Sequence, residues 1–408
     1  MACHPFGDIH LLARSFDPND RIALAVFERI MTATFDALGL QPMLLRALRD
    51  LNFTTPTPVQ LAAIPPALAG RDVLASAQTG TGKTAAFGLP LLEAVLKLPR
   101  KRTNALILAP TRELAAQIVA HLQALARGSD LRVAAVFGGV GFRPQITAFA
   151  RGTEIIVACP GRLLDLMGQR AARLGDVSIF VLDEADRMLD MGFLPSVRRI
   201  AAVLPKQRQT LLFSATVSSE IERLSKELMH DPVRIASAPP KATTAEGITH
   251  RAYTVDQTRK AELLLKLLED NGIYSALAFT RTKARANRLA LHLEKHKIAV
   301  DRIHGDRSQA QRTRALDQFK RGKLRVLVAT DVAARGIDVQ ALGHVVNFDV
   351  PMVPEDYVHR VGRTARAELT GEAITFVSRD EERLFRDIEK VVGRRIDRAK
   401  LPILSSLN

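Results

Sequence analysis

Two short runs hold the residues best able to do chemistry. The first, ASAQTGTGKTAAF from Ala75, lies between an apolar run and a helical pattern. Residues 77–84 fit the phosphate loop G-x-x-x-x-G-K-[ST], with Ala77 in place of the first glycine. In such a loop Ala77, Gln78, Thr79, Gly80, Thr81 and Gly82 turn backbone N–H groups onto phosphate oxygens, and the helix that follows adds the positive end of its dipole. Lys83 is placed to reach the β- and γ-phosphates and Thr84 to bind Mg2+. The second run, VSIFVLDEADRMLD from Val177, opens as a buried-strand pattern and then releases Asp183, Glu184 and Asp186 within four positions. Carboxylates crowded at a strand end repel one another and resist desolvation, so they call for a cation. Behind a phosphate loop, that cation is the metal of a nucleoside triphosphate. Asp183 would hold it, which leaves Glu184 to orient and deprotonate the attacking water. A Gly/Thr-rich turn and a solvated acidic turn would explain either run alone, but not the pair.

The elements around these runs define the architecture. From Arg71, buried runs such as RDVLASA, ALILAP, TEIIVACP, VSIFVLD and QTLLFSAT alternate with helical patterns. That alternation predicts an α/β fold, a mostly parallel sheet covered by helices on both faces. SAPPKATTAEG (237–247), with small residues and two prolines, reads as a linker. A second series follows, from YSALAFT to RDEERLFRDIEKVVG. The expected organisation is a disordered extension over 1–30, a first domain over 31–236, the linker, a second domain over 248–393 and a short mobile tail over 394–408.

Composition restricts the partners. The 408 residues carry a formal net charge of +15, divided as +6 before residue 241 and +9 from there on. A polyanion lying across both halves suits that distribution. Cys3 and Cys159 are the only cysteines, too few for a disulfide framework and consistent with a reducing cytoplasm. No apolar run approaches a membrane span, and the N-terminus lacks the pattern of a secretory signal.

Six motifs now stand in order: AQTGTGKT, PTRELAAQ, DEAD, SAT, ARGID and HRVGRTAR. Together they resemble a DEAD-box ATP-dependent RNA helicase of superfamily 2, the bacterial type with a short C-terminal tail. The match runs from about Phe35 to about Val392. The resemblance implies two RecA-like domains that close over ATP and one RNA strand. It makes Gln60 the reader of adenine, by one donor and one acceptor of its amide, with Phe35 stacking on the ring. Arg360, Arg363 and Arg366 recur at a three-residue spacing that predicts one helix face. By resemblance Arg363 and Arg366 act as arginine fingers on the triphosphate, while His359 and Arg360 link to the DEAD segment. Asp338 matches a ribose contact, and Ser214 and Thr216 the element that couples hydrolysis to strand separation.

Candidates for gripping RNA fall at strand ends: Pro110, Thr111 and Arg112; Gly138 and Gly139; Gly161 and Arg162; Thr280 and Arg281; His304, Gly305, Gln309 and Arg312; and Thr330. Arginines, hydroxyls and bare backbone suit phosphate and sugar contacts, which do not read bases. With no Trp and 5% aromatics, a base-stacking platform is not expected, so binding should be independent of sequence. The choice of RNA over DNA, through 2′-hydroxyls, rests on the resemblance alone. Cys159 stands where the family has threonine, which places one phosphate contact in question. Ala365, Ala367 and Glu368 replace glycines around the last motif, a tolerable change. The implied activity is ATP hydrolysis coupled to local duplex unwinding or ribonucleoprotein remodelling, with ATP and Mg2+ as cofactors. The implied setting is a cytoplasmic monomer in ribosome assembly or RNA decay. An ATP-gated RNA clamp with incidental unwinding is the alternative. A small-molecule P-loop kinase would leave the Arg-rich second half without a purpose.

Overall fold

Short strands that are apolar along their whole length need cover on both faces, and the computed structural model of the chain provides it. It describes residues 34–77, 81–236, 248–270, 273–334, 342–364 and 371–404. The chain divides into two compact units at residues 237/238.

In the first unit a 3₁₀ turn (Phe35–Leu38), α1 (Pro42–Asp50) and α2 (Pro58–Leu68) precede β1 (Val73–Ser76). Then come α3 (Lys83–Val95), β2 (Ala105–Leu108), α4 (Arg112–Leu125), β3 (Val133–Val136), α5 (Phe142–Ala150), β4 (Ile155–Ala158) and α6 (Pro160–Gly168). The unit finishes with β5 (Ile179–Leu182), α7 (Ala185–Asp190), α8 (Leu194–Ala201), β6 (Gln209–Ser214), α9 (Ser219–Leu228) and β7 (Val233–Ala236). Its seven strands are ordered β3-β4-β2-β5-β6-β1-β7, and every pairing is parallel. Alternate residues serve the two faces. Val73 and Ala75 pack with α2, α3 and α4, whereas Leu74 joins the apolar layer of α6, α8 and α9. The neighbours β5, β6 and β1 are in a register that sets Ser76 beside Ser214 and Leu182 beside Leu212. The chain therefore leaves all three strands at one edge of the sheet, where ligands of open α/β sheets collect.

The second unit runs β8 (Ile248–Thr254), α10 (Lys260–Glu269), β9 (Ala276–Thr280), α11 (Lys283–Lys295), β10 (Val300–Ile303), α12 (Gln309–Lys320) and β11 (Val326–Thr330). It continues through α13 (Asp331–Ala334), β12 (His344–Asn347), α14 (Pro354–Val361), β13 (Gly371–Val377), α15 (Glu382–Val392) and β14 (Asp397–Arg398). Its seven parallel strands follow the order β10-β11-β9-β12-β13-β8-β14. The expected parallel sheets are present in both units. The predicted extension over 1–30 and the linker over 237–247 lie outside the described residues. No helix among the described residues is long and apolar enough to cross a membrane.

Candidate functional site

Gly82 caps α3 in a left-handed conformation, φ 87°, which an L side chain adopts only under strain. A Cβ there would also overlap Gln60 Nε2. Close packing at this turn fixes the start of α3, and Lys83 is its first residue. The Lys83 side chain is buried and its Nζ has no hydrogen-bond partner among the described residues. A buried ammonium without a partner is costly, and phosphate oxygens are the partner this loop geometry provides. The residues fit a nucleoside triphosphate on that observation. Gln78, Thr79 and Gly80 lie outside the described residues.

Gln60 does more than the sequence suggests. It is 1% exposed, and its Oε1 accepts from Thr57 N at 2.9 Å while its Nε2 donates to the Gly82 carbonyl at 3.1 Å. Thr57 Oγ1 in turn donates to Thr81 O at 2.7 Å. The amide thus ties the start of α2 to the phosphate loop, leaving one N–H and one lone pair for a base. Phe35, expected to stack on adenine, is 4% exposed and sits edge-on to Phe53 with centroids 6.5 Å apart. It is a core ring that leaves only a sliver for a ligand. Gln60→Ala should therefore lower the preference for ATP over GTP by about tenfold, the scale of a lost buried hydrogen-bond pair. Both nucleotides should also bind less well, since the loop loses its tie. Comparing kcat/KM for ATP and GTP checks this, and unchanged discrimination would place base reading elsewhere.

Asp183 follows β5 directly and is 2% exposed. Burial pushes its carboxyl up to about 6, against the opposing pull of Lys83 and with a further push from Glu184 and Asp186. A carboxylate in that position is stabilised by a cation at hand. Among the described residues no cluster of three or more His, Cys, Asp or Glu could hold a metal alone. Asp183 and Thr84 are the residues that would hold Mg2+ together with phosphate oxygens. Glu184 has φ 52°, unusual for a non-glycine residue, and its buried carboxylate pairs with Arg187. Next to it, Asp186 Oδ2 accepts from Ala215 N at 3.0 Å, Thr216 N at 2.9 Å and Thr216 Oγ1 at 3.2 Å. Ser214 Oγ accepts from Asp186 N at 3.1 Å. The DEAD and SAT segments are bonded directly through Asp186, a residue whose role the charge argument had left open.

The arginine motif departs from expectation. α14 ends at Val361 with Gly362 as its cap, so Arg363 lies beyond the helix and shares no helix face with Arg360. Arg366 and Asp338 lie outside the described residues, as do Ala365, Ala367 and Glu368. Arg360 is 2% exposed, and its guanidinium donates to both Asp331 carboxylate oxygens at 2.6 and 2.7 Å, to Asn347 Oδ1 at 3.1 Å and to Asp349 O at 2.7 Å. These bonds engage most of the Arg360 donors within the second unit. His359 is half-buried in the last turn of α14.

Strand ends gather the RNA candidates into one group per unit. In the first, the Arg112 guanidinium lies against Gly138 and Gly139, where a Cβ on Gly139 (φ 81°) would overlap Nη1. Arg162 Nη1 donates to Val140 O at 2.9 Å and its guanidinium stacks 4.0 Å from the Phe142 ring centroid. Gly161 has open space where a side chain would be. Thr111 spends its hydroxyl capping α4, accepting from Leu114 N at 3.3 Å, and Pro110 is buried beside it. Cys159 caps α6 without a side-chain hydrogen bond, and burial pushes its thiol up to about 12. The threonine common at this place would supply that bond, worth about 1 kcal/mol. In the second unit Thr280 and Thr330 are register partners at the ends of β9 and β11. His304 directly follows β10, with Nε2 3.0 Å from Asn287 Oδ1, and Lys283 packs over Gly305. Gln309 and Arg312 begin α12. Arg281, expected to face phosphate, donates Nη2 to Glu381 Oε1 at 2.8 Å, so part of its charge is answered internally.

The comparisons agree with this geometry. Residues 57–224 match the DEAD/DEAH box helicase family and residues 259–368 the helicase conserved C-terminal domain. The DEAD-box ATP-dependent RNA helicase CshA of Bacillus subtilis is 42% identical over 374 residues, covering 92% of this chain and 75% of that protein. CshA of Geobacillus kaustophilus is 42% identical over 371 residues, covering 91% and 79%. Among solved structures, Dbp5 of Saccharomyces cerevisiae bound to RNA and ADP BeF3 aligns with a TM-score of 0.81 at 32% identity, covering 90% of this chain and 95% of that one. Mss116p bound to single-stranded RNA and AMP-PNP gives a TM-score of 0.81 at 28% identity, covering 90% and 80%. Sequence order, sheet topology and site geometry converge, and the chain belongs to the family of DEAD-box ATP-dependent RNA helicases.

Proposed function

We propose that this helicase turns over ATP with Mg2+ at the edge of the first unit and uses the cycle to melt short RNA duplexes locally. The buried, unpartnered Lys83 ammonium beside Asp183 carries the reading. Lys83 and the N–H groups at the start of α3 bind the β- and γ-phosphates. Thr84 and Asp183 hold Mg2+, which when bound neutralises the developing phosphate charge. Glu184 takes the proton of the attacking water. Asp186 passes the state of that site to Ser214 and Thr216. Arg363 and Arg366 are the proposed arginine fingers, Asp338 the ribose contact, and Arg360 a residue that shapes their segment through Asp331. The domain limits we propose are residues 31–236 and, in place of an end at 393 with a mobile tail, 248–398, because β14 pairs with β8 and Ile396 is buried in the core; the setting is a cytoplasmic monomer. Ribosome assembly and RNA decay are the processes this activity would serve.

RNA is gripped by its backbone at the two groups of strand-end residues. ATPase activity should therefore rise severalfold on adding single-stranded RNA of any sequence. Log affinity should fall linearly with log salt, as basic groups release counterions. A strong preference for one sequence in a binding competition would overturn backbone tracking, and ATPase activity indifferent to RNA would overturn the coupling. The clamp alternative predicts long-lived ATP-bound RNA complexes with little duplex melting.

A further inference from the structure

Five charged side chains meet beneath the end of β9 in the second unit. Lys260, the first residue of α10, and Asp349, two residues past β12, are both fully buried, and Glu381 is 3% exposed. Lys260 Nζ pairs with Glu381 and lies 3.8 Å from Asp349 Oδ1. Asp349 Oδ2 accepts the Arg281 backbone N–H at 2.8 Å, and Oδ1 lies 2.8 Å from Arg285 Nη2. Glu381 accepts Arg281 Nη2 at 2.8 Å through Oε1 and the Ser378 hydroxyl at 2.9 Å through Oε2. β9, β12 and β13 are neighbours in the sheet, so the cluster joins the exits of three adjacent strands.

Buried ions resist desolvation, and an apolar set of similar volume would often hold the same fold as well. What the ions add is a fixed geometry at the residue they converge on, and that residue is Arg281, held at both its backbone N–H and its guanidinium. Among the described residues Lys260, Arg281 and Arg285 face two carboxylates, so one positive charge in the cluster lacks a carboxylate there. Arg281, whose side chain is 37% exposed, is the member that reaches furthest into solvent. An anion at the surface would complete the set. We propose that Lys260, Asp349 and Glu381 are positioning residues that hold the Thr280–Arg281 turn in the shape that grips an RNA phosphate. This rests on the assignment of that turn to RNA given above.

The test uses full-length Lys260→Met, Lys260→Arg, Glu381→Gln and Arg281→Ala proteins. A labelled oligouridylate is titrated by fluorescence anisotropy with Mg2+ and a non-hydrolysable ATP analogue, well below each variant's melting temperature. Lys260→Met and Glu381→Gln should weaken RNA binding by about tenfold, Lys260→Arg should recover most of it, and nucleotide affinity without RNA should be unchanged. A purely structural cluster would lower the melting temperature and leave RNA affinity of the folded protein at the wild-type value, which overturns the proposal. Wild-type affinity in Arg281→Ala would overturn the RNA assignment of the turn itself. Loss in Arg281→Ala with none in Lys260→Met or Glu381→Gln would overturn the positioning alone. If Lys260→Met does not fold, the near-isosteric Glu381→Gln decides.

Discussion

Lys83→Ala should reduce ATP turnover by at least about a thousandfold, to near background in a phosphate-release assay. The side chain is buried at the start of α3, its Nζ has no hydrogen-bond partner among the described residues, and its charge acts on buried Asp183. Removing it takes away the cation that offsets charge on the transferring phosphoryl group, an effect of several kcal/mol in a water-poor site. The melting temperature without nucleotide should change little, because relief of a buried charge is offset by the loss of its attraction to buried Asp183. Near-normal turnover in this variant would remove the loop from the active site.

The second large effect belongs to Glu184. Glu184→Gln retains the shape of the side chain but cannot accept the water's proton, so hydrolysis should slow by about 10²–10⁴-fold. ATP and RNA should still bind together, and the protein should persist on RNA as a slow-release complex. Asp183→Asn should behave differently: metal holding weakens, so nucleotide binding and hydrolysis fall together. A chase of labelled single-stranded RNA with unlabelled RNA, with and without ATP, separates the cases. Release at the wild-type rate with intact turnover would make Glu184 a turn residue only. Slow release that requires ATP would tie the acidic strand end to hydrolysis and RNA grip together.

Much of this molecule was legible in its residues, for identifiable reasons. Apolar runs of four to six residues between helical patterns admit little besides a covered parallel sheet, and the phosphate loop and acidic strand end declare themselves by residue type and spacing. What the spacing could not show was how polar side chains divide their bonds between ligand and fold. Three-residue spacing suggested that Arg360 and Arg363 share a face, but the helix ends at Val361, and Asp331, Asn347 and the Asp349 carbonyl absorb Arg360. Arg281 is likewise drawn inward by Glu381, a partner 100 residues away. Phe35, which the resemblance makes a stacking ring, is buried in the core of the first unit, T-shaped against Phe53. Lys260 gave no local signal, since a lysine opening a helix is ordinarily solvated. Its burial follows from contacts far along the chain, which no local pattern encodes.

Asp186 accepts three hydrogen bonds from the Ala215–Thr216 segment on a single oxygen. Bonds that end on one atom share its fate: when that carboxylate oxygen turns away, all three donors lose their acceptor together. The segment and the acidic strand end are thus tied through a single point. Under the coupling role proposed for Ser214 and Thr216, a displacement of the acidic strand end would reach that segment through this one oxygen.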